Sequence, residues 1–154
     1  MADIEKLTKK EELELENEKE MSMTEEEIIS ILAEERPLPT RDVLIDRLGI
    51  VITLRALTEK DISKTRKDCT HVKKARGGRK EKELDSEEFD IALIEKSAIK
   101  PDFNSQKLLK ALNLSGGREV IRRKFLAGEI AQLGENVLDL SGFDDELEDV
   151  TIKN

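Results

Sequence analysis

The sequence predicts an α+β fold, mostly helical, in which a short β-hairpin or small antiparallel sheet near residues 43–57 is covered by several short helices. Three observations predict it. β-Branched and apolar residues run together convincingly in one region, Val43-Leu44-Ile45 and Ile50-Val51-Ile52-Thr53-Leu54, with Gly49 between them. Helix-starting signatures recur at Thr24, Thr58 and Asp85. Beyond Pro101, three further segments repeat apolar residues at helical spacing.

In chain order, residues 1–22 alternate Glu and Lys around sparse apolar residues (Ile4, Leu7, Leu13, Leu15). Such a segment buries too little surface to offset its ordering entropy, so it is expected to be disordered when free, or helical only against a partner. Thr24 and Glu27 fit a capping box that opens a helix with the stripe Ile28, Ile29, Ile31 and Leu32. Pro37 and Pro39 stop it, because the residue before each proline is pushed out of helical geometry. In the second β run, Ile50, Ile52, Leu54 and Ala56 share one face while Thr53 and Arg55 take the other. Two strands alone are marginal, so helices must cover that apolar face.

Thr58-Glu-Lys-Asp61 starts a helix toward Val72, with Ile62, Cys69 and Val72 on its buried side. Residues 73–85 hold two adjacent glycines among charges and read as an exposed, mobile basic loop. Asp85 and Glu88 cap a helix running to Ser97, with Phe89, Ala92, Leu93 and Ile94 inward. The later helical patterns fall at 105–113, 118–126 and 128–140. In the last, Ile130, Leu133, Val137 and Leu140 recur every three to four residues, and Gly134 is tolerated at roughly 1 kcal/mol. The expected organisation is an acidic segment at 1–23, a single α+β domain at 24–143 and an acidic tail at 144–154.

Charge is unevenly placed along these 154 residues of net charge −8. Residues 1–36 carry 13 acids against 5 bases, residues 64–82 carry nine bases against two acids, and residues 128–154 carry eight acids against one base. Acidic head, basic middle and acidic tail are the pattern of segments that contact proteins or solvate the chain. No apolar run is long enough to cross a bilayer, and the opening Met-Ala-Asp-Ile-Glu-Lys has no secretory h-region. One cysteine cannot form an internal disulfide, which fits a reducing compartment.

Few residues suit catalysis. Cys69 and His71 are the only Cys and His, too few soft ligands for a zinc site and poorly placed as nucleophile and base, so Cys69 reads as a buried thiol. Arg76-Gly-Gly-Arg79 and Gly116-Gly-Arg118 follow no strand and match no phosphate-binding fingerprint; they read as turns. The basic run at 64–82 is the best case for a nucleic-acid surface, but it lacks aromatic stacking partners. The four aromatics, Phe89, Phe103, Phe125 and Phe143, sit in apolar helical contexts instead. No catalytic, cofactor or metal site is expected.

Three stretches carry a resemblance: LGIVITLRALTEKDI (48–62), SAIKPDFNSQKLLKALNL (97–114) and KFLAGEIAQLGENVLDLSGF (124–143). In this order they resemble the XkdN-like tail assembly chaperones of long-tailed phages and prophages of Gram-positive bacteria. The resemblance implies a non-enzymatic, non-structural protein of the bacterial host cytoplasm, absent from the mature virion. It implies two partners, the tape measure protein, which it would solubilise, and the tail tube protein, which it would help recruit. A frameshifted longer version of itself is a third, and self-association stays open.

Such a role needs an apolar surface framed by charge. Phe103, Leu108, Phe125, Leu126 and Ile130 are the apolar candidates, each reading as core ahead of groove. Arg76, Arg79 and Lys80 are the basic candidates for acidic client segments. Two other classes rank lower: a structural tube or completion component, which needs more strands, and a small nucleic-acid-binding regulator using the basic segment.

Overall fold

The computed structural model describes residues 23–143, and the expectations for residues 1–22 and 144–154 lie outside them. The described residues fall into two units divided between Pro37 and Leu38, inside the range read from sequence as one domain. The first holds helix α1 (Glu25–Ala33). Thr24 Oγ1 accepts the Glu27 N–H at 3.3 Å, the cap its sequence announces. The helix ends at Ala33, with Glu34 already extended ahead of both prolines. None of its residues is buried.

In the second unit, strands β1 (Thr40–Ile45) and β2 (Ile50–Arg55) pair antiparallel with Val43 opposite Ile52 and Leu44 opposite Val51. Period-two alternation sends Val43, Ile45, Ile52 and Leu54 to the core and leaves Leu44 and Val51 exposed on the outer face. Ile50 shares the parity of Ile52 but lies at the strand end and is exposed. A third strand, the short β5 (Ala98–Lys100), joins the far edge of β2 through a bulge at Thr53/Leu54, giving the order β1-β2-β5.

Helix α2 (Glu59–Asp68) is capped by Thr58 and ends four residues short of Val72. Cys69 and Ile62 are buried as expected, but Val72 is exposed. From Thr70 the chain forms β3 (Thr70–Lys74), which pairs with β4 (Lys80–Leu84). The segment read as a helix end and a basic loop is therefore a two-stranded hairpin. Its reversal depends on Gly77 and Gly78, at φ +84° and +77°, values that side-chain-bearing residues rarely adopt. At its base the Asp85 N–H donates to the carbonyl of buried Cys69 at 2.9 Å. From His71 to Glu87 every residue but Ala75 is exposed.

The core is organised around α3 (Ser86–Ser97), capped by Asp85 Oδ1 on the Glu88 N–H at 3.1 Å. Phe89, Ile91, Ala92, Leu93, Ile94 and Ser97 are all buried, so this helix has apolar contacts nearly all round rather than on one stripe. Ser97 Oγ donates to the Arg55 carbonyl at 2.6 Å and accepts the Arg55 N–H at 3.2 Å, tying the helix end to the end of β2. After the cis Lys100–Pro101 bond come α4 (Gln106–Leu112), α5 (Gly117–Lys124) and α6 (Ala127–Leu140). Helices α5 and α6 pack on α3, and α6 also reaches the sheet.

A long-range clamp holds the turn after β1 to the start of α6. Arg47 Nη2 donates to Glu129 Oε1 at 2.8 Å and to the Lys124 carbonyl at 2.9 Å. Glu129 Oε1 also accepts the Leu126 N–H at 2.8 Å. The Arg47 hydrogen bond, then the Leu126 N–H, hold the Glu129 carboxyl below its ordinary range. A depressed folded-state value stabilises the protein at neutral pH and loses that contribution as pH falls through it. The melting-temperature advantage of wild type over Glu129→Gln is therefore expected to be full at pH 7, to begin to shrink only near the unfolded carboxylate value of about 4.3, and to be lost as pH falls through the lowered folded value. An advantage that does not shrink at all on acidification would remove the carboxylate from the clamp.

Candidate interaction surface

Burial separates the eight candidate residues into three groups. Phe103, Phe125 and Ile130 are 3%, 7% and 5% exposed and belong to the one core cluster of the unit. The Phe103 and Phe125 rings meet edge to face, with centroids 5.9 Å apart at 84°. Side chains so placed reach no partner without unfolding. Leu108 is half-buried and packs against the same cluster. Leu126, adjacent to Phe125, caps α6 and is 56% exposed. Arg76, Arg79 and Lys80 are exposed at the tip of the β3–β4 hairpin. The structure thus gathers three of the apolar candidates into the interior and displays the basic ones on a separate projection. Phe143, read as helical and apolar, is 58% exposed beyond the end of α6.

Other cations are engaged within the fold. Arg118 on α5 donates to Glu88 at 3.2 Å and to Glu95 at 3.3 Å, both on α3, and Arg122 donates to Glu88 as well. Arg66 stacks 5.7 Å from the centroid of the Phe89 ring. Burial pushes the Cys69 thiol up, and Cys69 and His71 diverge, the first enclosed and the second exposed on β3. Among the described residues no group of three or more His, Cys, Asp or Glu is placed to hold a metal ion, and no helix is long and apolar enough to cross a membrane.

Two exposed apolar pairs escaped the sequence reading: Leu44 with Val51 on the outer sheet face, and Val72 with Leu84 on the hairpin. The signal for the first was present, because period two places Val51 with Thr53 and Arg55 opposite Ile52 and Leu54. For the second, the adjacent Gly77-Gly78 pair was the one available turn signal, since neither flank alternates apolar with polar residues.

The chain matches known proteins along most of its length. The family model described as phage XkdN-like tail assembly chaperone protein matches residues 4–153. The chain belongs to the XkdN-like family of phage tail assembly chaperones. Among its relatives is the phage-like element PBSX protein XkdN of Bacillus subtilis (strain 168), 33% identical over 124 residues, which cover 79% of this chain and 84% of XkdN. The uncharacterised protein YqbN of the same organism is 31% identical over 124 residues, 79% of this chain and 83% of YqbN. The crystal structure of the protein YqbN superposes with a TM-score of 0.53 at 22% identity, covering 72% of this chain and 91% of that one, and so shares the fold.

Proposed function

We propose that this tail assembly chaperone binds and solubilises the tape measure protein and helps recruit tail tube subunits to it. It acts without catalysis, in the host cytoplasm, and is absent from the mature virion. The observation that carries this reading is membership of the family along nearly the whole chain. The structure supports it with exposed charged and apolar surface mounted on a closed core, the chemistry a reversible protein-binding role calls for. Because Phe103, Phe125 and Ile130 are interior, client contact falls to exposed Leu126, half-buried Leu108, and Arg76, Arg79 and Lys80 on the hairpin.

The test is co-expression with the tape measure protein of the same phage or prophage, followed by size-exclusion chromatography. The client is expected to become soluble and to co-elute. The double reversal Arg76→Glu/Arg79→Glu is expected to reduce co-purified client several-fold, on the order of 1 kcal/mol of binding, without changing the melting temperature. A client that stays insoluble while this chain elutes alone would overturn the proposal.

A further inference from the structure

The two faces of the β3–β4 hairpin differ in a way its own folding does not explain. Residues directly opposite in an antiparallel pair point to the same face. The register puts Lys74 opposite Lys80, Val72 opposite Lys82 and Thr70 opposite Leu84 on one face. The other face has His71 opposite Glu83 and Lys73 opposite Glu81, with an ion pair between Lys73 and Glu83. That second face pairs opposite charges within itself. The first carries three lysines and no carboxylate, together with exposed Val72 and Leu84. Like charges opposed across a ladder destabilise it, and a lone two-stranded hairpin has little stability to spare. Among the described residues none of Lys74, Lys80 and Lys82 has a carboxylate partner.

We propose that this lysine-and-apolar face docks an acidic amphipathic helix of a protein client, with its carboxylates on Lys74, Lys80 and Lys82 and its apolar stripe over Val72 and Leu84. The proposal rests on the reading of this chain as a client-binding chaperone and names the chemistry that one of its surfaces selects. A helix fits because carboxylates bordering its apolar stripe can reach Lys74, Lys80 and Lys82 while the stripe covers Val72 and Leu84, which share that face of the hairpin. Charge complementarity without a built-in counter-ion makes binding salt-sensitive and reversible. A nucleic acid would satisfy the lysines but leave Val72 and Leu84 uncovered, and the hairpin has no aromatic side chain on which bases could stack.

The test uses the full chain and three probes read by fluorescence anisotropy: a synthetic helical peptide repeating Leu and Glu amphipathically, polyglutamate of equal length, and a DNA duplex. The Leu/Glu peptide is expected to bind most tightly. Its affinity is expected to fall by about tenfold or more in Lys74→Glu/Lys80→Glu/Lys82→Glu, and several-fold in Val72→Ser/Leu84→Ser. Lys73→Gln, on the other face, is expected to leave it unchanged. The neutral triple Lys74→Gln/Lys80→Gln/Lys82→Gln gives the same reading should the reversal misfold, with circular dichroism as the check. Unchanged peptide affinity in the neutral triple, or tighter DNA binding through the same lysines, would overturn the proposal. Peptide binding needs no tape measure protein, so failure here and failure of the co-expression test are separate results.

Discussion

Phe125→Ala is expected to cost about 3–5 kcal/mol of stability, against a total of roughly 5–15 kcal/mol for a domain of this kind. The ring is 7% exposed and stands edge-on to Phe103, itself 3% exposed, so truncation loses buried area and an aromatic pair and leaves a cavity. Leu126→Ser, one residue along, changes a side chain already 56% exposed and is expected to shift stability by less than about 1 kcal/mol. Urea unfolding of the two variants measures the contrast directly. Co-expression then reads it in function: Phe125→Ala should lose client only in step with the folded population it loses, whereas any client lost by Leu126→Ser is lost with the fold intact. A Phe125→Ala protein that keeps the wild-type urea midpoint and yet releases its client would place Phe125 in a binding groove.

That contrast also marks the limit of what the sequence discloses. Helix starts are local events, settled by one side chain reaching an N–H three residues on, and so Thr24, Thr58 and Asp85 are legible as caps and prove to be caps. The boundaries of α3 follow for the same reason. The β3–β4 hairpin is a different case. Both of its faces are exposed, so no apolar period distinguishes it from a charged loop, and its ladder depends on two glycines and on pairings up to fourteen residues apart. Strand β5 is three residues long and exists only because β2 lies beside it. Periodicity does show which residues share a face of a helix, but not what covers that face. It could therefore list Phe125, Leu126 and Ile130 together, while only the fold turns Phe125 and Ile130 inward and leaves Leu126 out. The lysine face of the hairpin was unreadable for a related reason, since Lys74, Lys80 and Lys82 become neighbours only once the register is set.

Gly134 gives the second large effect. Read from sequence, it is a helix-weakening residue whose replacement by alanine should gain about 1 kcal/mol. The structure reverses the sign. A Cβ added at Gly134 would lie 2.5 Å from Asp90 Oδ1, 2.8 Å from its Cγ and 3.0 Å from its Cβ, where α6 crosses α3. The Asp90 carboxylate can rotate away, but its Cβ is fixed to the central helix, so the crossing must open. Gly134→Ala is therefore expected to destabilise by about 1–3 kcal/mol. In an Asp90→Ala background, with the oxygen and Cγ gone, the cost should shrink, giving a coupling of at least about 1 kcal/mol in the double-mutant cycle. Asp90 adds its own pH signature. Burial raises its carboxyl above the ordinary range, so the ionised form costs stability at pH values above that raised value, and the cost disappears as pH falls below the unfolded value near 3.9. Asp90→Ala also trims packing, so the informative quantity is the pH trend: its stability relative to wild type should be greatest at neutral pH and decline on acidification. Additive Gly134 and Asp90 effects, or a relative stability independent of pH, would mean that the helix crossing is looser than these distances require.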